Sequence, residues 1–161
     1  TQKKTPKAHH NKTKLSRLSD QLKNKKRLLI VMQNFPDPDA IASAAGLRAL
    51  AKRFTVAKHD AIQPDRYDAI AMVDAQPRTG NTNLPAHAFP DIVIDHHPIR
   101  NITRSCPFTD VRGKYGATST IICEYLRQAG IDIKTDLATA LLYGIRSDTQ
   151  DLGRETSQAD I

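Results

Sequence analysis

Residues 27–54 read RLLIVMQNFPDPDAIASAAGLRALAKRF and change character twice. Their first part, RLLIVMQ, is a continuous apolar run typical of a strand that is buried on both faces of a sheet. The turn NFPDPD follows, and the apolar residues of AIASAAGLRALAKRF then recur at helical spacing. This succession of strand, turn and helix is the repeating unit of a parallel α/β sheet.

The same alternation continues along the chain. Three further strands are predicted at FTVAK (54–58), YDAIAMVDA (67–75) and DIVIDHH (91–97). Two further helices are predicted at GATSTIICEYLRQAG (116–130) and TDLATALLYGIRSDT (135–149). Gly130 is expected to end the first of these helices, and Thr135 or Asp136 to cap the second. The predicted fold class is α/β: a Rossmann-like, doubly wound, mainly parallel sheet with helices on both faces.

One connection is too short for this scheme. Between the predicted strands at 54–58 and 67–75 there is room for only a few residues, whereas a parallel crossover needs about a dozen. Either these two strands pair antiparallel, or a loop segment near residues 59–63 is missing from the sequence. We favour the missing loop.

Positive charge is concentrated at the N-terminus. Residues 1–27 hold ten of the 24 Lys and Arg residues and one of the 17 acids, which leaves 14 basic and 16 acidic residues for 28–161. The tail could bind nucleic acid through its phosphates, or it could be a solvated segment in which SRLSDQLKNKK forms a short surface helix. The second interpretation is favoured because no aromatic residue interleaves the charges.

Several classes of protein are disfavoured by composition. The longest apolar runs, RLLIVM and TALLYGI, are too short to span a membrane, and no secretory signal follows the basic N-terminus. The two cysteines lack the spacing of a metal site or a disulfide framework. A cytoplasmic location is therefore expected, with residues 28–161 forming one domain.

Acidic residues and histidines follow the predicted strands: Asp37, Asp39, Asp74, Asp95, His96 and His97, with Asp148 late in the last helix. The carboxyl ends of parallel strands share one edge of a sheet, so these groups are expected to meet there. Gathered carboxylates repel one another unless a cation is present, and mixed oxygen and imidazole ligands suit Mn²⁺ or Zn²⁺. Taken singly, the same residues are also compatible with helix caps, a solvated helix end or a structural histidine pair.

Four of these stretches, PDPDAIASA, MVDAQP, DHHP and YGIRSDTQD, occur in an order that resembles the successive motifs of the DHH phosphoesterase family. That family includes family II inorganic pyrophosphatases, exopolyphosphatases, a single-strand 5′ exonuclease and oligoribonuclease/pAp phosphatases. The resemblance runs from about residue 28 to the C-terminus. It implies hydrolysis of phosphoesters or phosphoanhydrides at a site with two metal ions, typically Mn²⁺, with Mg²⁺, Co²⁺ or Zn²⁺ as alternatives.

The resemblance also implies which residues bind metal. Asp37 would bind the first ion and Asp39 the second, with Asp74 bridging the two. His96 and Asp148 would complete the ligands of the second ion.

Two further residues are assigned to catalysis in the same way, and one position departs from the family pattern. His97 would face the substrate phosphate, and Asp95 would orient the histidines. Many relatives have a histidine four residues before the first aspartate, where this chain has Gln33. A neutral amide is a weak ligand, so the first metal is expected to bind weakly and the second firmly.

Arg100, Arg146 and Arg112 lie near the motifs and are candidates to bind substrate phosphates, with a salt bridge to a nearby acid as an equal alternative for each. The backbone amides at the start of the helix in 116–119 would also suit an anion.

The predicted function is therefore metal-dependent hydrolysis of a small nucleotide, a short single-stranded oligonucleotide or a related phosphate substrate. The alternative is a non-catalytic nucleotide- or nucleic-acid-binding module with a weakened metal site. Relatives continue into a smaller C-terminal domain, which is expected to be absent here, so that the isolated chain binds metal but hydrolyses substrates poorly. A homodimer is compatible with this function, and a membrane partner is not expected.

Overall fold

The computed structural model describes residues 12–51 and 63–161. In these ranges the α-helices and strands, in chain order, are α1 (Lys14–Leu22), β1 (Leu28–Val31), α2 (Pro38–Ala51), β2 (Ala69–Val73), β3 (Ile92–Asp95), β4 (Phe108–Val111), α3 (Thr118–Gln128) and α4 (Thr135–Asp148). Short 3₁₀ helices occur at Pro64–Arg66, Asn101–Ser105 and Gln158–Asp160. None of the helices in this part of the chain is long and apolar enough to cross a membrane.

The four strands form one sheet in the order β1-β2-β3-β4, and each neighbouring pair is parallel. The predicted α/β fold with a parallel sheet is therefore confirmed. All four carboxyl ends lie along one edge, which brings the residues after β1, β2 and β3 together. The predicted strand at 54–58 and most of the proposed gap at 59–63 lie outside the described residues.

Both faces of the sheet are covered, as the continuous apolar strands predict. On one face, side chains such as Leu28 and Ile30 join a core cluster with α2 and α3, in which Tyr125 is the largest buried residue. On the other face, Leu29 and its neighbours pack against the segment at 84–89 and against Cys106, which follows a 3₁₀ helix. Burial on both sides removes the alternation of apolar and polar residues that marks a half-exposed strand.

Helix α1 forms within the basic N-terminal segment and docks on the sheet. Leu18 is buried in the core cluster, and the Arg17 guanidinium lies 5.9 Å from the centre of the Phe108 ring on β4. Lys14 also forms an ion pair with the buried Asp110. A short surface helix is therefore present in this segment, as the favoured interpretation predicted, but Leu18 and Lys14 attach it to the folded body, so that it is not wholly solvated.

The ends of α3 and α4 differ in how well the sequence predicted them. Gly130 follows α3 with a positive φ of 63°, the left-handed conformation expected of a glycine that ends a helix. The N-cap of α4 is Lys134, and no side chain in the described residues caps it. The prediction of Thr135 or Asp136 as the cap is wrong because the helix already begins at Thr135.

Helix α4 approaches the N-terminal ends of α2 and α3 closely at a glycine. A Cβ atom at Gly144 would lie 2.7 Å from Ser119 Oγ and 3.1 Å from Asp39 Cα. Such distances leave no room for a methyl group. Gly144 therefore allows the C-terminal end of α4, with Asp148, to reach the residues at the ends of the strands.

Candidate metal centre

Two groups of potential ligands meet at the carboxyl edge of the sheet. One consists of Asp39, His96 and Asp148, and the other of Asp74, His96 and His97; within each group the ligand atoms all lie within 4.8 Å of one another. His96 belongs to both. The fold thus gathers five of the seven predicted acids and histidines, four of them around the His96 imidazole.

Asp74 follows β2 in a left-handed conformation, with φ at 52°, and its side chain is buried. Its Oδ1 accepts a hydrogen bond from Thr118 Oγ1 at 3.0 Å, whereas its Oδ2 has no hydrogen-bond partner among the described residues. Burial, and then the charges of Asp39 and Asp37, raise the pKa of Asp74 to about 7. This carboxylate therefore lies in a setting that a cation would stabilise.

His96 is oriented by the backbone of the segment before α3. Its Nδ1 lies 3.2 Å from the Tyr115 carbonyl oxygen, to which it donates, and this contact directs Nε2 towards the acids. Nε2 lies 3.1 Å from Asp148 Oδ2 and 3.5 Å from Asp74 Oδ1, yet it makes no hydrogen bond within the described ranges. Burial opposes a charged ring, but Asp148 and Asp74 outweigh it and raise the pKa of His96 to about 9.

Asp39 is fully buried and caps a helix other than its own. Its Oδ1 accepts from the Ser119 amide at 2.8 Å and its Oδ2 from the Thr118 amide at 2.7 Å, at the start of α3. Burial raises the pKa of Asp39, although these hydrogen bonds partly offset that effect. The expectation that these two amides bind a substrate anion is therefore wrong, because the Asp39 carboxylate already occupies them.

Asp37 takes the capping role on α2 and lies outside both groups of clustered ligands found in the described residues. Its Oδ1 accepts from the Ala40 amide at 2.9 Å, and its Oδ2 accepts from Gln33 Nε2 at 3.1 Å. Gln33 therefore presents its NH₂ group, a donor, to the carboxylate. Each oxygen of Asp37 has a donor, as do both oxygens of Asp39, whereas Asp74 Oδ2 has no partner among the described residues. What separates Asp37 from Asp39 is that its oxygens lie outside the clustered ligands.

Asp95, at the end of β3, is buried and holds the two histidines that follow it. Its Oδ1 accepts from the His96 amide and from His97 Nδ1, both at 2.9 Å. Burial opposes ionisation of Asp95, but the hydrogen bonds from His97 and Gln76 and the charge of His97 together outweigh it, and the pKa of Asp95 is lowered. The His97 side chain is 56% exposed, so its ring reaches solvent while Asp95 fixes its orientation.

Sequence reasoning missed three residues that support this cluster. Gln76 contacts Asp95, Thr118 contacts Asp74, and the Tyr115 carbonyl orients His96. Gln76 stands in the MVDAQP motif two positions after Asp74, so its position was a usable signal. Tyr115 acts through its backbone, and a backbone contact leaves no signal in side-chain identity.

Arg112, a candidate to bind substrate phosphate, is instead held by neighbouring acidic residues. Its guanidinium is held by Asp110, with Nη2 2.8 Å from Oδ2, and it also pairs with Glu124 and contacts the Tyr115 hydroxyl at 3.0 Å. These contacts engage all three guanidinium nitrogens. They favour a structural ion pair for Arg112 over a contact with substrate phosphate.

The other two arginines remain exposed. Arg100 lies just beyond the histidine pair in sequence, and its Nη2 donates to the Arg78 carbonyl at 3.3 Å. Arg146 donates to Asp151 at 2.6 Å on the surface of α4. Since Arg146 and Asp148 are two positions apart on one helix, their side chains leave it in different directions. Arg100 is therefore the better placed candidate to contact a substrate.

The parallel sheet and the cluster at its edge define an α/β protein with a candidate metal centre. The chain matches the sequence model of the DHH family, N-terminal domain, over residues 27–145, and it belongs to that family.

Three individual proteins are similar to this chain in sequence or in fold. An uncharacterized protein of Methanocaldococcus jannaschii is 37% identical over 161 aligned residues, which cover 83% of this chain and 32% of the relative. The A-adding tRNA nucleotidyltransferase of Aquifex aeolicus is 41% identical over 58 residues, which cover 36% of this chain and 7% of that protein. A crystal structure of an exopolyphosphatase-related protein from Bacteroides fragilis superposes with a TM-score of 0.72 at 18% identity, over 90% of this chain and 52% of that one. The chain thus spans about a third of the archaeal relative's length and shares its fold with about half of the Bacteroides protein.

Proposed function

We propose that this chain forms the metal-binding domain of a phosphoesterase. Its substrate would be a small nucleotide, a short oligonucleotide or a related phosphate compound, hydrolysed by water activated at two divalent metal ions. One observation carries the proposal: the buried Asp74 Oδ2 has no hydrogen-bond partner in the described part of the chain, and His96 Nε2 beside it faces only the carboxylates of Asp148 and Asp74. Buried polar atoms are rarely left unpaired, so a cation bound between these groups is the simplest explanation of Asp74 Oδ2.

The residues present fit a divalent cation. Carboxylate oxygens and an imidazole nitrogen form the donor set, and a hard-to-borderline ion such as Mn²⁺ accepts both kinds of ligand. Asp39, Asp74, His96 and Asp148 would hold it. When bound, such ions polarise phosphoryl oxygens and lower the pKa of a coordinated water.

The chain's own residues would then act on the substrate. Asp95 occupies Nδ1 of His97, which leaves Nε2 of that exposed ring as the nitrogen available to a substrate oxygen. His97 would bind the phosphate and stabilise its charge, while the buried Asp95 keeps the ring in place. Arg100 would contribute positive charge beside it.

The proposal is tested by the Mn²⁺-dependent hydrolysis of bis-p-nitrophenyl phosphate. Protein stripped with a chelator should be inactive and should regain activity when Mn²⁺ is added, whereas Asp74→Ala should stay inactive at every Mn²⁺ concentration. Hydrolysis that Asp74→Ala leaves unchanged would contradict the proposed site.

A second candidate function is a non-catalytic nucleotide- or nucleic-acid-binding module. The hydrogen bond from Gln33 to Asp37 favours it, because it weakens one of the two expected metal positions. Mn²⁺ binding and nucleotide binding without hydrolysis of any phosphate ester would support this alternative over the phosphoesterase.

A further inference from the structure

We infer that Gln76 is a positioning residue of this site: it fixes the Asp95 carboxylate and thereby the His97 ring. The inference rests on the proposed function for its effect on catalysis. Its geometric content concerns only Gln76, Asp95 and His97.

The Gln76 side chain is 3% exposed and uses both ends of its amide. Its Nε2 donates to Asp95 Oδ2 at 2.6 Å and to the Pro98 carbonyl at 3.1 Å. Its Oε1 accepts from the Arg100 amide at 2.9 Å and from Thr103 Oγ1 at 2.7 Å. Two donors and two acceptor positions are therefore all engaged, the full capacity of an amide.

These contacts tie together both ends of the loop that carries the histidine pair. Asp95 is the last residue of β3, before that loop, whereas Pro98 and Arg100 follow the histidines. One side chain from the neighbouring strand's end thus bridges the loop at three points. A loop held in this way can keep His97 in one orientation although its ring is exposed.

The donor end of the Gln76 amide determines which oxygen of Asp95 accepts the hydrogen bond from His97. Because Gln76 donates to Oδ2, the other oxygen, Oδ1, is left to accept from His97 Nδ1. A carboxylate at position 76 would place a second acceptor against Oδ2, and the two groups would repel each other or share a proton. The site therefore requires a donor at this position, which glutamine supplies and glutamate does not.

The test is a charge swap in the purified protein. Gln76→Glu keeps the acceptor for Arg100 and Thr103 but removes the donor for Asp95 and for the Pro98 carbonyl. We expect this variant to lower kcat for bis-p-nitrophenyl phosphate by about 10- to 100-fold, with KM changed less than threefold. This is the usual loss when a residue that orients a side chain of a metal site is replaced. Asp95→Asn in the same protein restores a donor and acceptor pair, so Gln76→Glu/Asp95→Asn should recover at least tenfold of the loss.

Thr103→Val is the matched control, since it removes a hydrogen bond to the same amide without touching Asp95. It should change kcat by less than about threefold. If Gln76→Glu does not fold, Gln76→Met, which lacks every polar contact, should show the same loss of kcat relative to Thr103→Val.

A spectroscopic readout separates this inference from the proposed function. In ¹⁵N-edited NMR spectra of the histidine rings, the protonated Nδ1 of His97 should be present in wild type, lost in Gln76→Glu and restored in the double variant. If wild type hydrolyses nothing, the proposed function fails, and these spectra still test Gln76. An unchanged His97 spectrum and kcat in Gln76→Glu, an equal loss in Thr103→Val, or a double variant no better than Gln76→Glu would each overturn the inference.

Discussion

Asp74 Oδ1 and His96 Nε2 lie 3.5 Å apart at the ends of neighbouring strands, and the remaining oxygen of Asp74 is buried without a hydrogen-bond partner in the described ranges. Parallel pairing of β2 with β3 creates this contact. The pair is the centre of the candidate site.

The first prediction concerns the two metal positions. Mn²⁺ titrated into metal-free protein should fill one position firmly and a second at least about tenfold more weakly, because Gln33 presents a donor to Asp37. Gln33→His supplies a ring nitrogen and should tighten the weak position, whereas Gln33→Ala should not. Electron paramagnetic resonance of free Mn²⁺ measures both, and two equally tight positions in wild type would refute the prediction.

The stability of the metal-free protein should fall as pH rises from 5 to 8. Burial and neighbouring charge raise the pKa of Asp74 from 3.8 to about 7, so its protonated form stabilises the fold below the unfolded pKa, and that stability is lost as pH rises through about 7. The raised pKa of His96, about 9, acts in the same direction.

Urea unfolding at several pH values checks this dependence. Asp74→Asn should give a shallower slope than wild type over the same interval, and saturating Mn²⁺ should remove the loss in wild type. Acids with lowered pKa, such as Asp95, act below this interval. Stability that is flat or rises from pH 5 to 8 in metal-free wild type would be inconsistent with these pKa values.

Asp39 should matter for folding even without metal. Asp39→Ala leaves the amides of Thr118 and Ser119 without their acceptor and should lower the free energy of unfolding by about 1–3 kcal/mol. Asp148→Ala removes a clustered carboxylate that caps no helix and pairs only with His96 in the described residues, so it should cost less than Asp39→Ala. Chemical denaturation with chelator present compares the two, and equal losses would argue against the capping role.

Gly144 should be needed for the close approach of α4. Gly144→Ala places a methyl group against Ser119 and Asp39, which should cost about 1–3 kcal/mol and weaken Mn²⁺ binding by moving Asp148. Gly113 is the control, because a Cβ there would meet its nearest neighbour at an ordinary 3.7 Å. Thermal melts and Mn²⁺ titrations of both variants test this, and normal Mn²⁺ affinity in Gly144→Ala would refute it.

How far sequence predicts this structure depends on whether a residue acts locally. Strands β1 to β3 could be predicted because each is a short apolar run buried on both faces. Strand β4, FTDV, was missed because Asp110 is polar. Burial of Asp110 depends on the nearby Arg112 and on Lys14 and the Tyr125 hydroxyl, which lie elsewhere in the chain. No local pattern reports such partners.

The same distinction holds at the candidate site. That acids and histidines gather at one sheet edge follows from strand direction alone. The capping roles of the two aspartates do not follow from it, because Asp39 caps α3 across the fold while Asp37 caps α2. Whether Arg112 forms ion pairs or remains available to substrate likewise depends on how Asp110 and Glu124 are packed beside it, which only the structure shows.

The proposed metal site at Asp74 and His96 is tested most directly by anomalous diffraction from crystals of the protein soaked in Mn²⁺. The account predicts a peak within about 2.5 Å of both Asp74 Oδ2 and His96 Nε2, and its loss in Asp74→Ala. A Mn²⁺ peak elsewhere, or none at this pair under saturating Mn²⁺, would contradict it.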